Sequence, residues 1–180
     1  MYKEIVCAGF GGQGIMVMSK LLAQAAMEEM KEITWMPSYG AEVRGGTAHA
    51  MVVISDSEIA SPSISEPDDC IIMNRPSFLK FEQLVKEGGL MVVNSSLIED
   101  SLQREDIKVV KIPATEKAIE LGDVRVANMI ALGAYQKITE VVLMEDLIKA
   151  LEIIIPTHRH NLIPLNKKAL QEGANLANVS

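Results

Sequence analysis

The chain has 180 residues, a length that buries one well-formed core, and we expect a single domain over residues 1–180. Hydrophobic residues make up 48% and aromatics only 4%, which suits an α/β core of Val, Ile, Leu and Met and excludes an aromatic-rich all-β sandwich. A net charge of −7 leaves no basic stripe to neutralise phosphates, so nucleic-acid binding is excluded as well.

Residues 3–8 predict a strand, apolar on both sides from Ile5 onward as a central parallel strand requires. It runs into Gly9-Phe10-Gly11-Gly12-Gln13-Gly14, a G-x-G-x-x-G spacing that lets a helix N-terminus approach a phosphate. Residues 15–30 follow as a helix: Ile15, Met18, Leu21, Leu22, Ala25 and Met30 fall near one face. Ala23, Ala25 and Ala26 let that helix lie close to a sheet. Residues 32–37 and 47–55 predict two more strands; the segment between them has no helical period, so they form a strand–long loop–strand unit rather than a βαβ crossover. Residues 56–67 are Ser- and Pro-rich and irregular, with room for a short edge strand.

Residues 69–74 read as a buried strand, and Arg75-Pro76-Ser77 opens a helix to about residue 86, stopped by Gly88-Gly89. Strands at 90–94 and 108–112 follow, then a helix after Pro113-Ala114-Thr115. The C-terminal third is helical, at about 124–139, 144–154 and 164–177, with Pro156 ending the second of these. The order predicts a Rossmann-like three-layer α/β/α sandwich with a mostly parallel sheet and a helical C-terminal third. A right-handed crossover then sets the glycine loop at the carboxyl edge of the first strand.

Taken alone, the glycine loop supports two readings. It is a weak dinucleotide fingerprint, or a tight strand-to-helix turn in an α/β core. The dinucleotide reading wants an acid at the end of the second strand, to hold ribose hydroxyls. That strand ends in Met36-Pro37-Ser38-Tyr39, and the nearest acid, Glu42, lies deep in the next loop. Gln13 is the residue a turn does not require, and its amide is a candidate to face a ligand or partner.

The second loop gathers Ser38, Tyr39, Gly40, Glu42, Arg44, Gly45, Gly46 and Thr47 within ten residues. Arg44 beside Gly45-Gly46 can reach a carboxylate or phosphate by a bidentate contact; the alternative is that it pairs with Glu42 and braces the loop. His49 opens the third strand as either a hydrogen-bonding core residue or a site residue. His158 and His160 flank Arg159 with no Asp, Glu or Cys beside them to complete a metal set, so a surface or interface role is expected. Cys7 and Cys70 stand alone and read as packing residues of a cytosolic protein, unable to hold an iron–sulfur cluster or zinc by themselves. There is no Ser–His–Asp pattern, no H-E-x-x-H and no P-loop Lys. No catalytic residue and no metal site are therefore assigned to this chain. No apolar run approaches the ~20 residues of a membrane span, and the amino-terminal residues lack a signal-peptide pattern, so a cytoplasmic protein without a membrane partner is expected.

The two loops, with Val53-Ile54-Ser55-Asp56 and Val126-Ala127-Asn128-Met129-Ile130-Ala131-Leu132-Gly133, resemble over essentially the whole chain the gamma subunit of the 2-oxoacid:ferredoxin oxidoreductases. The glycine loop is generic alone; joined to the S-Y-G-x-E-x-R-G-G block it is specific. The resemblance implies a complex that oxidatively decarboxylates a 2-oxoacid with coenzyme A, giving acyl-CoA and CO2 and passing electrons to ferredoxin. It implies thiamine diphosphate with Mg between alpha and beta subunits, and [4Fe–4S] clusters on beta and delta, with none bound by this chain. It implies that Gly9, Gly11, Gly12, Gln13 and Gly14 and the Ser38–Thr47 loop shape an interface near the entry of substrate or coenzyme A. Partners would be the alpha, beta and delta subunits, ferredoxin through the complex, and a second copy when the chain is isolated. Pyruvate, 2-oxoglutarate, branched-chain and aryl 2-oxoacids all stay open. Two other classes stand beside this one: a self-sufficient nucleotide-binding oxidoreductase, disfavoured by the missing acid, and a non-enzymatic assembly module of the same fold.

Overall fold

The computed structural model describes residues 1–38, 47–100 and 103–177. Its six strands are β1 (Tyr2–Phe10), β2 (Glu32–Ser38), β3 (Thr47–Ser55), β4 (Asp69–Ile72), β5 (Leu90–Asn94) and β6 (Lys108–Ile112). They form one sheet in the order β2-β3-β1-β4-β5-β6. β1, β4, β5 and β6 pair in parallel, while β3 runs antiparallel to both β1 and β2. Five strands therefore point one way. The reversed strand is the one that follows a connection without helical period, because a parallel pair would have needed a helical crossover there.

The helices are α1 (Ile15–Glu28), α2 (Arg75–Phe81), α3 (Ala114–Glu120), α4 (Ala127–Thr139), α5 (Met144–Ile154) and α6 (Ile163–Ala177). Side chains alternate across the sheet. Ile5, Cys7, Ile71 and Val92 enter a large core with α1, α3, α4, α5 and α6; Val6, Ala8, Cys70 and Val93 enter a smaller one under α2. The sandwich has three layers, but one helical layer is a single seven-residue helix eked out by loop residues Ile64, Ile98 and Ile107. Trp35 of β2 donates its indole N–H to Ser19 of α1 at 3.0 Å, which fixes α1 over the antiparallel half of the sheet.

α4 and α6 pack backbone to backbone through two glycines. A Cβ on Gly133 would overlap the Leu170 backbone, and one on Gly173 would overlap the Ile130 carbonyl. The charged anchors gather at the opposite end of the sheet from the glycine loop. Asp69, buried, accepts from the Tyr135 hydroxyl at 2.9 Å and pairs with Lys3 at 3.1 Å; Lys86 pairs with Glu4 at 2.6 Å and Asp68 at 2.9 Å. Burial first, then the Asp69 charge, pushes the Tyr135 hydroxyl well above its ordinary range, so it stays a donor.

Four local expectations need correction. Met30 does not join the apolar face of α1. It lies past the helix end with φ of 57°, 93% exposed, while the Lys31 N–H closes the helix on the Ala26 carbonyl. The helix from residue 75 ends at Phe81 rather than near 86, because Arg104 takes the carbonyls of Glu82 and Val85, at 3.0 and 2.6 Å, and the Lys86 N–H turns to Pro67. Residues 56–67 hold no strand; Ile64 instead tucks into the smaller core. The helix expected from 124 begins as a 3₁₀ turn, Val124–Val126, capped by the Asp123 carboxylate on the Arg125 N–H at 2.9 Å.

Candidate functional site

Strand register brings the two loops to one end of the sheet. Phe10, the last residue of β1, pairs with Thr47, the first of β3, and Ser38 at the end of β2 pairs with His49. The start of the glycine loop thus lies beside Ser38 and Thr47, the residues that flank the second loop. Ser38 and Thr47 are half-buried at its root. Tyr39, Gly40, Glu42, Arg44, Gly45 and Gly46 lie outside the described residues.

The glycine loop divides its work by position. A Cβ on Gly9 would meet Gln13 Oε1 at 2.6 Å, Ile15 Cδ1 at 2.7 Å and Met73 Cβ at 2.9 Å, so Gly9 serves close packing of α1 on the sheet. Gly12 has φ of 94° with open space around it, and Gly14, the N-cap of α1, has φ of 71°. Gly11 and Gly12 form an exposed lip. Gly14 brings no capping side chain and the first turn of α1 carries no acid, so its leading N–H groups are not satisfied by a side chain of that turn.

The Gln13 amide is engaged inside the protein. Its Oε1 accepts the Phe10 N–H at 2.7 Å, and its Nε2 donates to the Met73 carbonyl at 3.1 Å. Gln13 therefore staples the ends of β1 and β4, and the sequence reading that left it free to face a ligand missed both partners.

Beside the lip opens a cleft of about 330 Å³. Gly12, Gly14 and Asn128 form one side, Val17, Met129, Ile154, Ile155, Leu162 and Leu165 an apolar wall, and Arg125, Arg159 and Asn166 polar borders. Arg125 binds Asp123 through Nε at 2.9 Å and Nη2 at 2.6 Å, and this contact holds the Asp123 carboxyl down at about 2. The Arg125 side chain is 73% exposed, so its charge still reaches solvent at the cleft mouth. The site is an apolar groove bordered by Arg159, by the Arg125–Asp123 ion pair and by Gly14, the N-cap of α1. That combination suits an elongated ligand with an anionic end.

The remaining candidates fall elsewhere. His49 lies on the α2 side of the sheet with its ring edge-on to Phe81 at 5.5 Å, and burial followed by the Lys80 charge lowers its pKa. His158 is exposed, and His160 Nε2 meets the Ile155 carbonyl at 2.9 Å. Cys7 and Cys70 are buried in different cores on opposite faces; burial pushes the Cys7 thiol up to about 12. Among the described residues no three His, Cys, Asp or Glu side chains group as metal ligands, and no helix is long and apolar enough to cross a membrane. Arg125, Asn128, Arg159 and Asn166 were missed as site residues. The only signal for Asn128 was its place in the Val126-to-Gly133 block, which names no contact.

A strand, a glycine loop and a helix beside a cleft at the carboxyl end of a mostly parallel sheet define the Rossmann-like class of α/β proteins. The profile of one such family, described as pyruvate ferredoxin/flavodoxin oxidoreductase, matches residues 4–176, and the chain belongs to that family. It is 37% identical to the 2-oxoglutarate synthase subunit KorC of Methanocaldococcus jannaschii, over 93% of this chain and 92% of that one. It is 36% identical to the ketoisovalerate oxidoreductase subunit VorA of Methanothermobacter marburgensis over 97% of this chain, and spans only 36% of that longer relative. The crystal structure of a keto/oxoacid ferredoxin oxidoreductase gamma subunit from Geobacter sulfurreducens superposes with a TM-score of 0.86 at 30% identity, covering 99% of both chains. The 2-oxoglutarate:ferredoxin oxidoreductase from Magnetococcus marinus, bound to 2-oxoglutarate, coenzyme A and succinyl-CoA, shares the fold with a TM-score of 0.89 at 23% identity; this chain matches 31% of its length. The relatives that match end to end are gamma-type subunits, and oxidoreductase activity in this family belongs to the assembled complex.

Proposed function

We propose that residues 1–180 form one domain, the gamma-type subunit of a cytoplasmic multi-subunit enzyme that oxidatively decarboxylates a 2-oxoacid with coenzyme A. The products are acyl-CoA and CO2, and the electrons pass to ferredoxin. Alpha, beta and delta subunits are the partners, and this chain carries no catalytic residue. The observation that carries the reading is the strand register that brings both glycine-rich loops to one sheet end, beside the arginine-rimmed cleft.

The residues here do not fit thiamine diphosphate with Mg, or a [4Fe–4S] cluster. The two thiols are buried on opposite faces, and no carboxylate or thiol cluster stands among the described residues. Those groups belong to the partners. Coenzyme A, by contrast, has an anionic nucleotide end and a long pantetheine arm. The exposed Gly11–Gly12 lip, the start of α1, which carries no capping side chain, and the Arg125 and Arg159 guanidinium groups suit the first; the Val17, Ile154 and Leu165 wall suits the second. Tyr39, Glu42 and Arg44 are further contacts for the co-substrate or the partner subunits on this reading, with Ser38 and Thr47 at the root of their loop. The role of the chain is to hold and orient the co-substrate and to shape the interface through which it reaches the partners.

A thermal-shift series with NAD, NADP and FAD tests this against a stand-alone nucleotide-dependent enzyme. All three are expected to leave the melting temperature unchanged. A strong stabilisation by NAD would overturn the reading.

A further inference from the structure

Asn128 belongs to neither loop. It stands in the first turn of α4, 4% exposed, 114 positions along the chain from Gly14, and it lines the cleft beside Gly12 and Gly14. Its Nδ2 donates to the Gly14 carbonyl at 3.1 Å, and its Oδ1 accepts the Met129 N–H at 2.9 Å. One donated and one accepted bond fix the orientation of the amide.

The Gly14 carbonyl also accepts the Met18 N–H at 3.0 Å, the opening bond of α1. A trans peptide unit points its C=O and N–H in opposite directions. With the Gly14 oxygen held by two donors, the Ile15 N–H is kept pointing away from the body of α1, at the end where the glycine loop joins it. Glycine at 14 is required from both directions. The backbone is left-handed there, and a Cβ would run into the Asn128 amide. Glycine and asparagine are fitted to each other.

We infer that Asn128 is a positioning residue for the anionic end of coenzyme A, acting through the Gly14–Ile15 peptide unit rather than by touching the ligand. This rests on the reading that coenzyme A approaches the glycine loop. Asn128 adds to the Met18 N–H a second bond on the Gly14–Ile15 peptide, against a rotation that would exchange its outward N–H for a carbonyl oxygen. It also ties the loop to the helix that leads out of the Arg125 turn, so the two halves of the rim move together.

The test is steady-state kinetics of the assembled complex carrying Asn128→Asp, Asn128→Ala or Gly12→Asp. Asn128→Asp keeps the shape and exchanges the donor for an oxygen facing the Gly14 carbonyl. The expected result is a rise of about tenfold in KM for coenzyme A, the scale of one lost hydrogen bond, with kcat and KM for the 2-oxoacid within twofold of wild type. Asn128→Ala gives the same split and keeps the test open should the Asp variant fail to assemble. A fall in kcat with both KM values shifted alike would mark a merely structural residue and overturn the inference. Gly12→Asp separates the two levels. If it raises KM for coenzyme A while both Asn128 variants do not, the role of Asn128 is wrong and the site stands. If neither position affects coenzyme A, the site reading fails, and the inference fails with it.

Discussion

Gly9, Gln13 and Gly14 show how much of one short motif is taken up by structure. Gly9 is there for packing, Gln13 for stapling β1 to β4, and Gly14 for a left-handed cap against Asn128, which leaves Gly11 and Gly12 as the exposed part of the loop. The cysteines are a simpler case of environment deciding chemistry. A thiol must ionise to react, and burial raises both, Cys7 to about 12. Native protein at pH 8 is therefore expected to give no fast reaction with a disulfide-exchange reagent, and two equivalents after denaturation. A rapidly reacting thiol in the native state would contradict the burial. The motif and its spacing were legible in the sequence. The partners of Gln13 and Asn128 were not, because Met73 and Gly14 lie 60 and 114 positions away and hydrogen bonds of that reach leave no local pattern.

At the scale of elements, strand and helix signals were strong where Gly or Pro bounded an apolar or amphipathic run, as at Leu90–Asn94 after Gly88-Gly89 and Met144–Ile154 shortly before Pro156. They failed where a distant side chain intervened, as when Arg104 captured the carbonyls that would have extended α2. The tightest contact between elements is the crossing of α4 and α6, where glycine replaces any side chain at Gly133 and Gly173. Overpacking a core costs about 1–3 kcal/mol, and here the added methyl meets backbone, which cannot rotate aside. Gly173→Ala is expected to cost about 3 kcal/mol in urea unfolding. A loss below about 0.5 kcal/mol would show that the helices part easily. Because α4 also carries Asn128, a displaced α4 would loosen the glycine loop at its far end.

For the molecule as a whole, the charged anchors hold one end of the sheet while the loops and the cleft occupy the other. The larger helical layer supplies the distal wall of the site from residues 123–129 and 154–166. The mostly parallel character of the sheet was legible because helices follow β1, β4 and β6, whereas the segment between β2 and β3 has no helical period. The cleft was not, since its walls come from segments more than a hundred residues apart. The central claim is tested most directly by co-expressing this chain with its partner subunits and measuring viologen reduction that depends on both a 2-oxoacid and coenzyme A. The account predicts that the chain co-purifies with a thiamine-diphosphate-binding partner and that turnover requires its presence. A chain that associates with no such partner, or a complex equally active without it, would contradict the account.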